Sequence, residues 1–537
     1  MSVDEFKAIK KATDLAIAHI HVKGFDDIFR TPIFHPSLEH NLIRKNFDDF
    51  RDEAFRQTNR FLKSGNLARE KIGNPYYFFM PKGQFSFRRV CWIEPFDLVK
   101  YLALSILIFP DIERGRLSKH NNIVHSHRLS DDETNLFDPN FGYDSFRKTS
   151  GDLSKSRIGQ WKVVTDISNF FDRIGNHSLE NQLTDLSCST KHVTLIREIL
   201  LQWTGDRRSF GVPVGSDASR ILSEAALVTI DRKLSETGIE FIRYVDDFRI
   251  FSSDRARAYE SLRILAELLA DEGLALNDKK THIFEITSAE DVVDHLPDTL
   301  HDEHKPIDIN EKIVIKTRAV VSGKSTISRY YKEPGKEAIR AMKLLNKEDL
   351  IDKFIGAEGA EQENFIRLLT KYFLYVDHDP LIIKALLELK ITSIFYIVDA
   401  LIKHDDRLDD ALKVDLIELI FQKMGGLACP YPYQIPLLRL FADPKFADGR
   451  MANSIVDNQK ILDNPLFYRE AILLSFQQLD RHRIKALGMK VFHSAPNPLK
   501  RAIFYAVQNY TGMEDSEKRP LLKNMRQSCE DWFTSNL

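Results

Sequence analysis

Two adjacent aspartates, Asp246 and Asp247, lie between two short apolar runs and constrain the fold more than any other feature of this chain. The runs are rich in β-branched and aromatic residues, so residues 241–251 predict a β-hairpin. Tight hairpin turns favour Asn-Gly or Asp-Gly because glycine accepts a positive φ, whereas adjacent carboxylates repel each other and supply no glycine. The pair therefore indicates a divalent cation that compensates the charge.

A third carboxylate, Asp166, ends an apolar run that begins at Lys162 and precedes the aromatic pair Phe170 and Phe171. A metal ligand at the end of a buried strand is held rigidly. Three such carboxylates suit a site in which two Mg²⁺ ions hold a triphosphate against a growing 3′ end. Asp166 alone is equally compatible with an aspartate that caps the following turn.

Two further segments have compositions that suit a nucleotide site. Residues Gly211–Ser219 form a glycine- and proline-containing turn before a helix, which lets the backbone approach a base or sugar closely. Residues Gly273–Thr281 predict a helix end followed by a short strand, with Lys280 available to neutralise a leaving pyrophosphate or to donate a proton. An ordinary loop and a surface lysine are the alternatives for these two segments.

In this order and spacing, the segments resemble those of the reverse transcriptase superfamily, over roughly residues 75–285. The resemblance implies that Asp166, Asp246 and Asp247 are catalytic and hold two Mg²⁺ ions, for which Mn²⁺ can substitute. It also implies that the carbonyl of Ile167 is a further metal ligand.

The same resemblance implies a set of residues that contact the incoming dNTP. Phe171 corresponds to the family's steric gate, a bulky ring that collides with a ribose 2′-hydroxyl. The family commonly has glutamine where this chain has Val214, so template-guided selection of the nucleotide is in doubt. The predicted dNTP-binding residues are Lys82, Arg88, Arg89, Phe171, Gly215 and Lys280.

The pattern of apolar residues predicts an α+β polymerase with fingers and palm, followed by an all-α domain of HEAT-like helical repeats. Three pairs in the second half, Asp379-Pro380, Asn464-Pro465 and Asn497-Pro498, are typical of helix starts. The predicted layout is a helical N-terminal part of the fingers (1–74), fingers and palm (75–290), a linker (291–330) and the helical repeat domain (331–537).

Composition limits the partners. Lys plus Arg number 76 and Asp plus Glu 78, so any nucleic acid should occupy a local basic channel rather than a strongly basic surface. The four cysteines form no C-x-x-C pair, which disfavours a zinc site or a disulfide framework. No apolar run approaches the roughly 20 residues of a membrane span, and Met1–Lys11 lacks a signal-peptide pattern, so a cytoplasmic location without membrane contact is predicted.

A polymerase with a long helical domain and no recognisable nuclease resembles the bacterial abortive-infection (Abi) reverse transcriptases, including their shorter prophage-carried relatives. This resemblance implies template-independent synthesis of single-stranded DNA from dNTPs, primed on the protein and therefore covalently attached, in a homo-oligomer (trimer or hexamer) that defends against phage. No tyrosine precedes Tyr76, so the priming residue is not assigned. The alternatives are templated DNA synthesis on a noncoding RNA, and an inert, polymerase-shaped scaffold protein.

Two further sequence features do not indicate a functional site. Residues 322–326 imitate the end of a phosphate-binding P-loop, but Arg318 stands where the loop needs its first glycine. His120, His125 and His127 lie in a polar stretch without a cysteine partner, so solvent-exposed histidines are predicted there rather than a metal site.

Overall fold

The computed structural model describes residues 3–25, 38–83, 86–132, 134–205, 208–287, 299–300, 319–320, 333–357, 359–458 and 464–537. The chain forms two compact units. The first contains Met1–Ile28, Ile43–Tyr77 and Arg89–Leu296, and the second contains Phe29–Leu42, Phe78–Arg88 and Pro297–Leu537. The predicted domain boundaries at 74, 290 and 330 remain predictions, and the P-loop-like residues 322–326 lie outside the described residues.

The first half of the chain alternates helices with a few strands. A helix follows the turn at Gly211–Ser219, as predicted, but it is interrupted at Ala226 and Leu227, so two helices are formed. The helices are α1 (Val3–Lys23), α2 (Leu38–Lys45), α3 (Phe47–Ser64), α4 (Pro95–Gly115), α5 (Tyr143–Ser156), α6 (Phe170–Arg173), α7 (Asn176–Asp185), α8 (Thr190–Thr204), α9 (Asp217–Ala225), α10 (Val228–Glu236) and α11 (Arg255–Asp271).

The strands form three antiparallel groups, and the predicted hairpin around Asp246 is confirmed. The first pair is β1 (Tyr76–Gly83) and β2 (Ser86–Trp92), and a four-stranded sheet of order β4-β5-β3-β6 follows. Its members are β3 (Trp161–Asp166), β4 (Glu240–Tyr244), β5 (Asp247–Ser252) and β6 (His282–Glu285). Thr299–Leu300 (β7) pairs with Ala319–Val320 (β8).

Strand β3 lies between β5 and β6 in the four-stranded sheet and is buried from Lys162 to Asp166. Helix α11 packs against β3, β5 and β6, and α5 packs against β4. Both helices cover the sheet because apolar side chains of the strands would otherwise face water. The result is a mixed α/β layout in which the last residue of β3, Asp166, is buried.

The second unit is largely helical, as predicted, and all three Asx-Pro pairs mark helix starts. Helices two apart pack together, such as α18 with α20 and α20 with α22, but this does not establish a HEAT-like repeat, which stays a prediction. The helices are α12 (Lys336–Met342), α13 (Lys347–Gly356), α14 (Gly359–Tyr375), α15 (Pro380–Leu389), α16 (Ile394–Lys403), α17 (Asp410–Lys423), α18 (Tyr431–Ala442), α19 (Gly449–Asn458), α20 (Pro465–Ser475), α21 (Arg481–Ala486), α22 (Asn497–Asn509), α23 (Asp515–Gln527) and α24 (Trp532–Ser535).

A buried ionic group, the C-terminal cluster, connects distant segments of the second unit. It consists of Glu39, Arg469, Glu470, Arg501 and Asp531. Arg469 donates to Glu39 at 2.6 Å and also pairs with Glu470, and Arg501 donates to Asp531 at 2.6 and 2.9 Å. Because the group is almost fully buried, each charge depends on its partners. No helix in the described part of the chain is long and apolar enough to cross a membrane.

Candidate active site

The sheet brings the three predicted aspartates to one edge. Strands β3 and β5 are antiparallel, and Asp166, the last residue of β3, is directly opposite Asp247, the first residue of β5. Such opposed residues have Cα atoms roughly 4.5–5.5 Å apart. Asp246 occupies the turn between β4 and β5, and its carbonyl accepts a hydrogen bond from the amide of Ile167 at 3.1 Å.

The segment before β6 brings Lys280 to the same edge. The amide of Asn277 donates to the carbonyl of Asp166 at 2.9 Å, and the amide of Ser168 donates to the carbonyl of Ala275 at 2.8 Å. These bonds fix the loop, and Lys280 Nζ lies 2.7 Å from Asp166 Oδ2. The structure therefore joins two sequence segments that are more than a hundred residues apart.

The electrostatics of this edge are those of an uncompensated acidic group. Burial, together with the nearby charges of Asp246 and Asp166, raises the pKa of Asp247 to about 7, although Arg249 and Lys280 oppose the shift. The burial of Lys280 opposes its protonated form, yet Asp166, Asp247 and Asp246 together raise its pKa. The edge is thus arranged to receive positive charge.

The donor set fits a divalent cation that prefers oxygen ligands. Asp166 Oδ1 is buried and has no hydrogen-bond partner in the protein, which is unusual for a carboxylate oxygen and typical of a metal ligand. Among the described residues, however, no three acidic, histidine or cysteine side chains already converge into a metal-binding group. The roles of these aspartates and of the Ile167 carbonyl stay predictions.

The turn itself has an unusual backbone that sequence reasoning missed. Val245 has a φ of 54°, a conformation that is a genuine outlier for a β-branched residue. Its carbonyl accepts a hydrogen bond from the guanidinium of Arg243 at 2.8 Å. Arg243 belongs to a buried group, the turn cluster, whose members are Arg116, Glu224, Asp231 and Arg243. The sequence feature that points to this cluster is the arginine directly before Tyr244.

The glycine- and proline-containing turn lies against Phe171. The amide of Val212 donates to the carbonyl of Phe171 at 2.9 Å, and Gly211 donates to Ile174 at 2.7 Å. Gly211 has a φ of 102°, and a Cβ added there would lie 3.4 Å from the carbonyl oxygen of Asp172. Gly215 has a φ of 120° and precedes Ser216, the N-cap residue of α9. The start of this turn is therefore bonded to the segment that contains Phe171, and Phe171 is partly exposed.

The predicted cations of the β1–β2 hairpin have different surroundings. The guanidinium of Arg89 stacks on the ring of Tyr77 at 3.6 Å, and Tyr77 also interacts electrostatically with Asp172, the residue after Phe171. Arg88 is half-buried in β2, and the side chain of Lys82 lies outside the described residues. Both belong to the second unit, so their contact with a triphosphate stays a prediction.

The prediction of solvent-exposed histidines is wrong at two of three positions. His120 is exposed, but His125 is buried and bonded to Ser145 Oγ at 3.1 Å and to the Asn122 carbonyl at 2.9 Å. His127 is mostly buried, 3.4 Å from Glu224. Residues 123–125 pair with Arg243 at the open side of β4, so a segment that reads as a polar loop is folded into the structure.

The model of the family described as reverse transcriptase (RNA-dependent DNA polymerase) matches residues 116–314. This part of the chain is therefore similar to a reverse transcriptase domain. Domains of this family are nucleotidyltransferases of the RNA-directed DNA polymerase type and generally depend on divalent metal. The matched region contains all three aspartates and Lys280, whereas the β1–β2 hairpin precedes it.

Similar solved structures are telomerases. The match to apo telomerase from Candida tropicalis truncated from its C-terminal domain has 14% identity over 39% of this chain and 50% of that one, with a TM-score of 0.29. Telomerase from Candida albicans in complex with a fragment of telomeric RNA has 14% identity over 69% of this chain and 66% of that one, with a TM-score of 0.31. Scores of this size carry no conclusion about this chain. No curated protein sequence matches it significantly.

Proposed function

We propose that this protein is an Mg²⁺-dependent DNA polymerase that uses dNTPs. The observation that carries the proposal is the pairing of Asp166 with Asp247 at one sheet edge, with Asp246 on the adjoining turn and Lys280 on Asp166. Two bound Mg²⁺ ions would activate the attacking hydroxyl and stabilise the departing pyrophosphate. Asp166, Asp246, Asp247 and the Ile167 carbonyl would hold the ions.

The other residues would position the nucleotide. Lys280 would neutralise the leaving pyrophosphate or donate a proton to it, because its ammonium group already faces this edge. Phe171 would exclude a ribose 2′-hydroxyl, and Gly215 would let the backbone approach the nucleotide. Arg89, Arg88 and Lys82 would bind the triphosphate.

The decisive variant is Asp246→Asn, which removes a charge but keeps the size of the side chain. Incorporation of labelled dNTP should fall by about 10³-fold, since loss of a metal ligand removes several kcal/mol of transition-state stabilisation. Asp271→Asn, an exposed aspartate at the end of α11, is the matched control and should leave the rate unchanged. Equal rates in Asp246→Asn and the wild type would remove the catalytic assignment.

In finer detail, we propose an abortive-infection-type enzyme that synthesises DNA without a template, primed on the protein, as a homo-oligomer in phage defence. Val214, in the place of the family's usual glutamine, supports untemplated synthesis. The matched family description, RNA-dependent DNA polymerase, favours the templated alternative. Sequencing the product with and without added RNA separates the two, and a nuclease-sensitive mass on the purified protein reports covalent priming.

A further inference from the structure

The turn that carries Asp246 adopts a conformation that its own residues do not favour. Val245 has a φ of 54°, where its branched Cβ crowds the backbone, and the turn contains no glycine. Asp246 and Asp247 add mutual repulsion at the same point. Such a conformation persists only where surrounding structure determines it.

Arg243 supplies that surrounding structure. Its backbone is fixed on the open side of β4, because its amide donates to Ile123 at 2.8 Å and its carbonyl accepts from His125 at 2.9 Å. Its guanidinium donates to Asp231 at 2.6 and 2.9 Å, to Glu224 at 3.0 Å, and to the carbonyl of Val245 at 2.8 Å. The planar guanidinium group thus donates hydrogen bonds to the turn and to two buried carboxylates at once. A lysine ammonium group does not reproduce this geometry.

The rest of the turn cluster holds the carboxylates in place. Arg116 donates to Glu224 at 2.8 Å and to the carbonyls of Ser126 and His127 at 2.7 and 2.8 Å. Arg116, Glu224, Asp231 and Arg243 are almost fully buried, so their geometry is set by packing as well as by charge. Among these four, only Arg243 bonds to the turn.

We propose that Arg243 is a positioning residue that holds Val245 in its left-handed conformation and so aims the carboxylates of Asp246 and Asp247 at a divalent cation. The proposal rests on the proposed function of these aspartates. The proposal goes beyond that function because it attributes the geometry of the metal site to the turn cluster.

The test compares Arg243→Lys with Arg116→Lys, which perturbs the same buried carboxylate but has no bond to the turn. Mn²⁺ affinity, measured by electron paramagnetic resonance without nucleotide, should fall about 10- to 100-fold in Arg243→Lys, as expected when a group that orients metal ligands is lost. Hydrogen exchange of residues 244–248 should become faster in the same variant. Arg116→Lys should change neither the Mn²⁺ affinity nor the hydrogen exchange of residues 244–248, apart from any loss of global stability.

Wild-type affinity and exchange in folded Arg243→Lys, or equal losses in Arg116→Lys, overturn the proposal. Asp231→Asn is the second variant if Arg243→Lys does not fold, because it keeps the shape of the guanidinium's partner; it should speed exchange in the same residues, and unchanged exchange counts against the proposal. Asp247→Asn is the reference for metal binding. If it binds Mn²⁺ as the wild type does, the proposed function fails, whereas the exchange experiment still decides the role of Arg243.

Discussion

The turn cluster and the C-terminal cluster have the same chemistry but different connections. Both bury arginines with two or more carboxylates almost completely. In the turn cluster, Arg243 donates a further hydrogen bond to the carbonyl of Val245, the residue before Asp246. In the C-terminal cluster, Arg501 and Arg469 bond to Glu39, more than four hundred residues earlier in the chain. Buried ion pairs therefore hold a local strained turn in one unit and distant segments together in the other.

The aspartate edge differs from the turn cluster because its three carboxylates face two cations, Lys280 and Arg249, whereas the turn cluster pairs two arginines with two carboxylates. Burial, Asp246 and Asp166 raise the pKa of Asp247. In the turn cluster, Arg243 and Arg116 overcome the burial of Glu224 and lower its pKa, although burial still raises the pKa of Asp231. A site that awaits a cation is expected to lower the stability of the protein. Mutations at the edge should therefore affect function more than folding, and mutations in the C-terminal cluster should do the reverse.

The largest expected effect on stability is that of Arg501→Met. This change leaves Asp531 buried without its cation and Glu39 with Arg469 alone, so the free energy of unfolding should fall by about 3–5 kcal/mol in denaturant titration. Arg481→Met, which breaks an exposed pair with Glu517, is the control and should change stability by less than about 0.5 kcal/mol. dNTP incorporation by the folded Arg501 variant at low temperature should match the wild type. A loss of incorporation without a loss of stability would contradict the expected difference between the aspartate edge and the C-terminal cluster.

A smaller effect of opposite sign is expected for Asp247→Asn in metal-free protein. The raised pKa means that ionisation of Asp247 costs stability, a cost absent below its unfolded pKa of about 3.8 and complete above about 7. The wild type should therefore lose stability relative to the variant as the pH rises from 4 to 7. Partial exposure limits the difference at pH 8 to about 1–2 kcal/mol. Parallel pH profiles of the melting temperature would contradict this expectation.

The smallest effect concerns sugar selection by Phe171→Ala. If the ring blocks a 2′-hydroxyl, ribonucleotide use relative to dNTP should rise about tenfold, equivalent to about 1.4 kcal/mol. The neighbouring Phe170 is buried, so Phe170→Leu should lower stability without changing this ratio. Competition between labelled dNTP and rNTP measures it, and an unchanged ratio in Phe171→Ala would assign the ring to packing.

Local sequence patterns predicted the main elements of the fold because helices and hairpins depend on residues that are neighbours in the chain. Short runs rich in β-branched and aromatic residues predicted the hairpin of β4 and β5, and Asx-Pro pairs predicted the starts of α15, α20 and α22. The sequence predicted a helix after Gly211–Ser219 but not its division, since the apolar periodicity continues through Ala226 and Leu227 while the backbone changes. The burial of His125 was missed because its partners, Ser145 and the Arg243 strand, are distant in sequence.

The sequence by itself determined which carboxylates lie at strand ends, because Asp166, Asp246 and Asp247 follow or separate short apolar runs whose period is local. Only the tertiary structure decided that Asp166 is opposite Asp247, that Lys280 reaches Asp166, and that Arg243 bonds to Val245. The physical reason is that strand register and buried ion pairs are set by the packing of segments far apart in the chain, which no local spacing records.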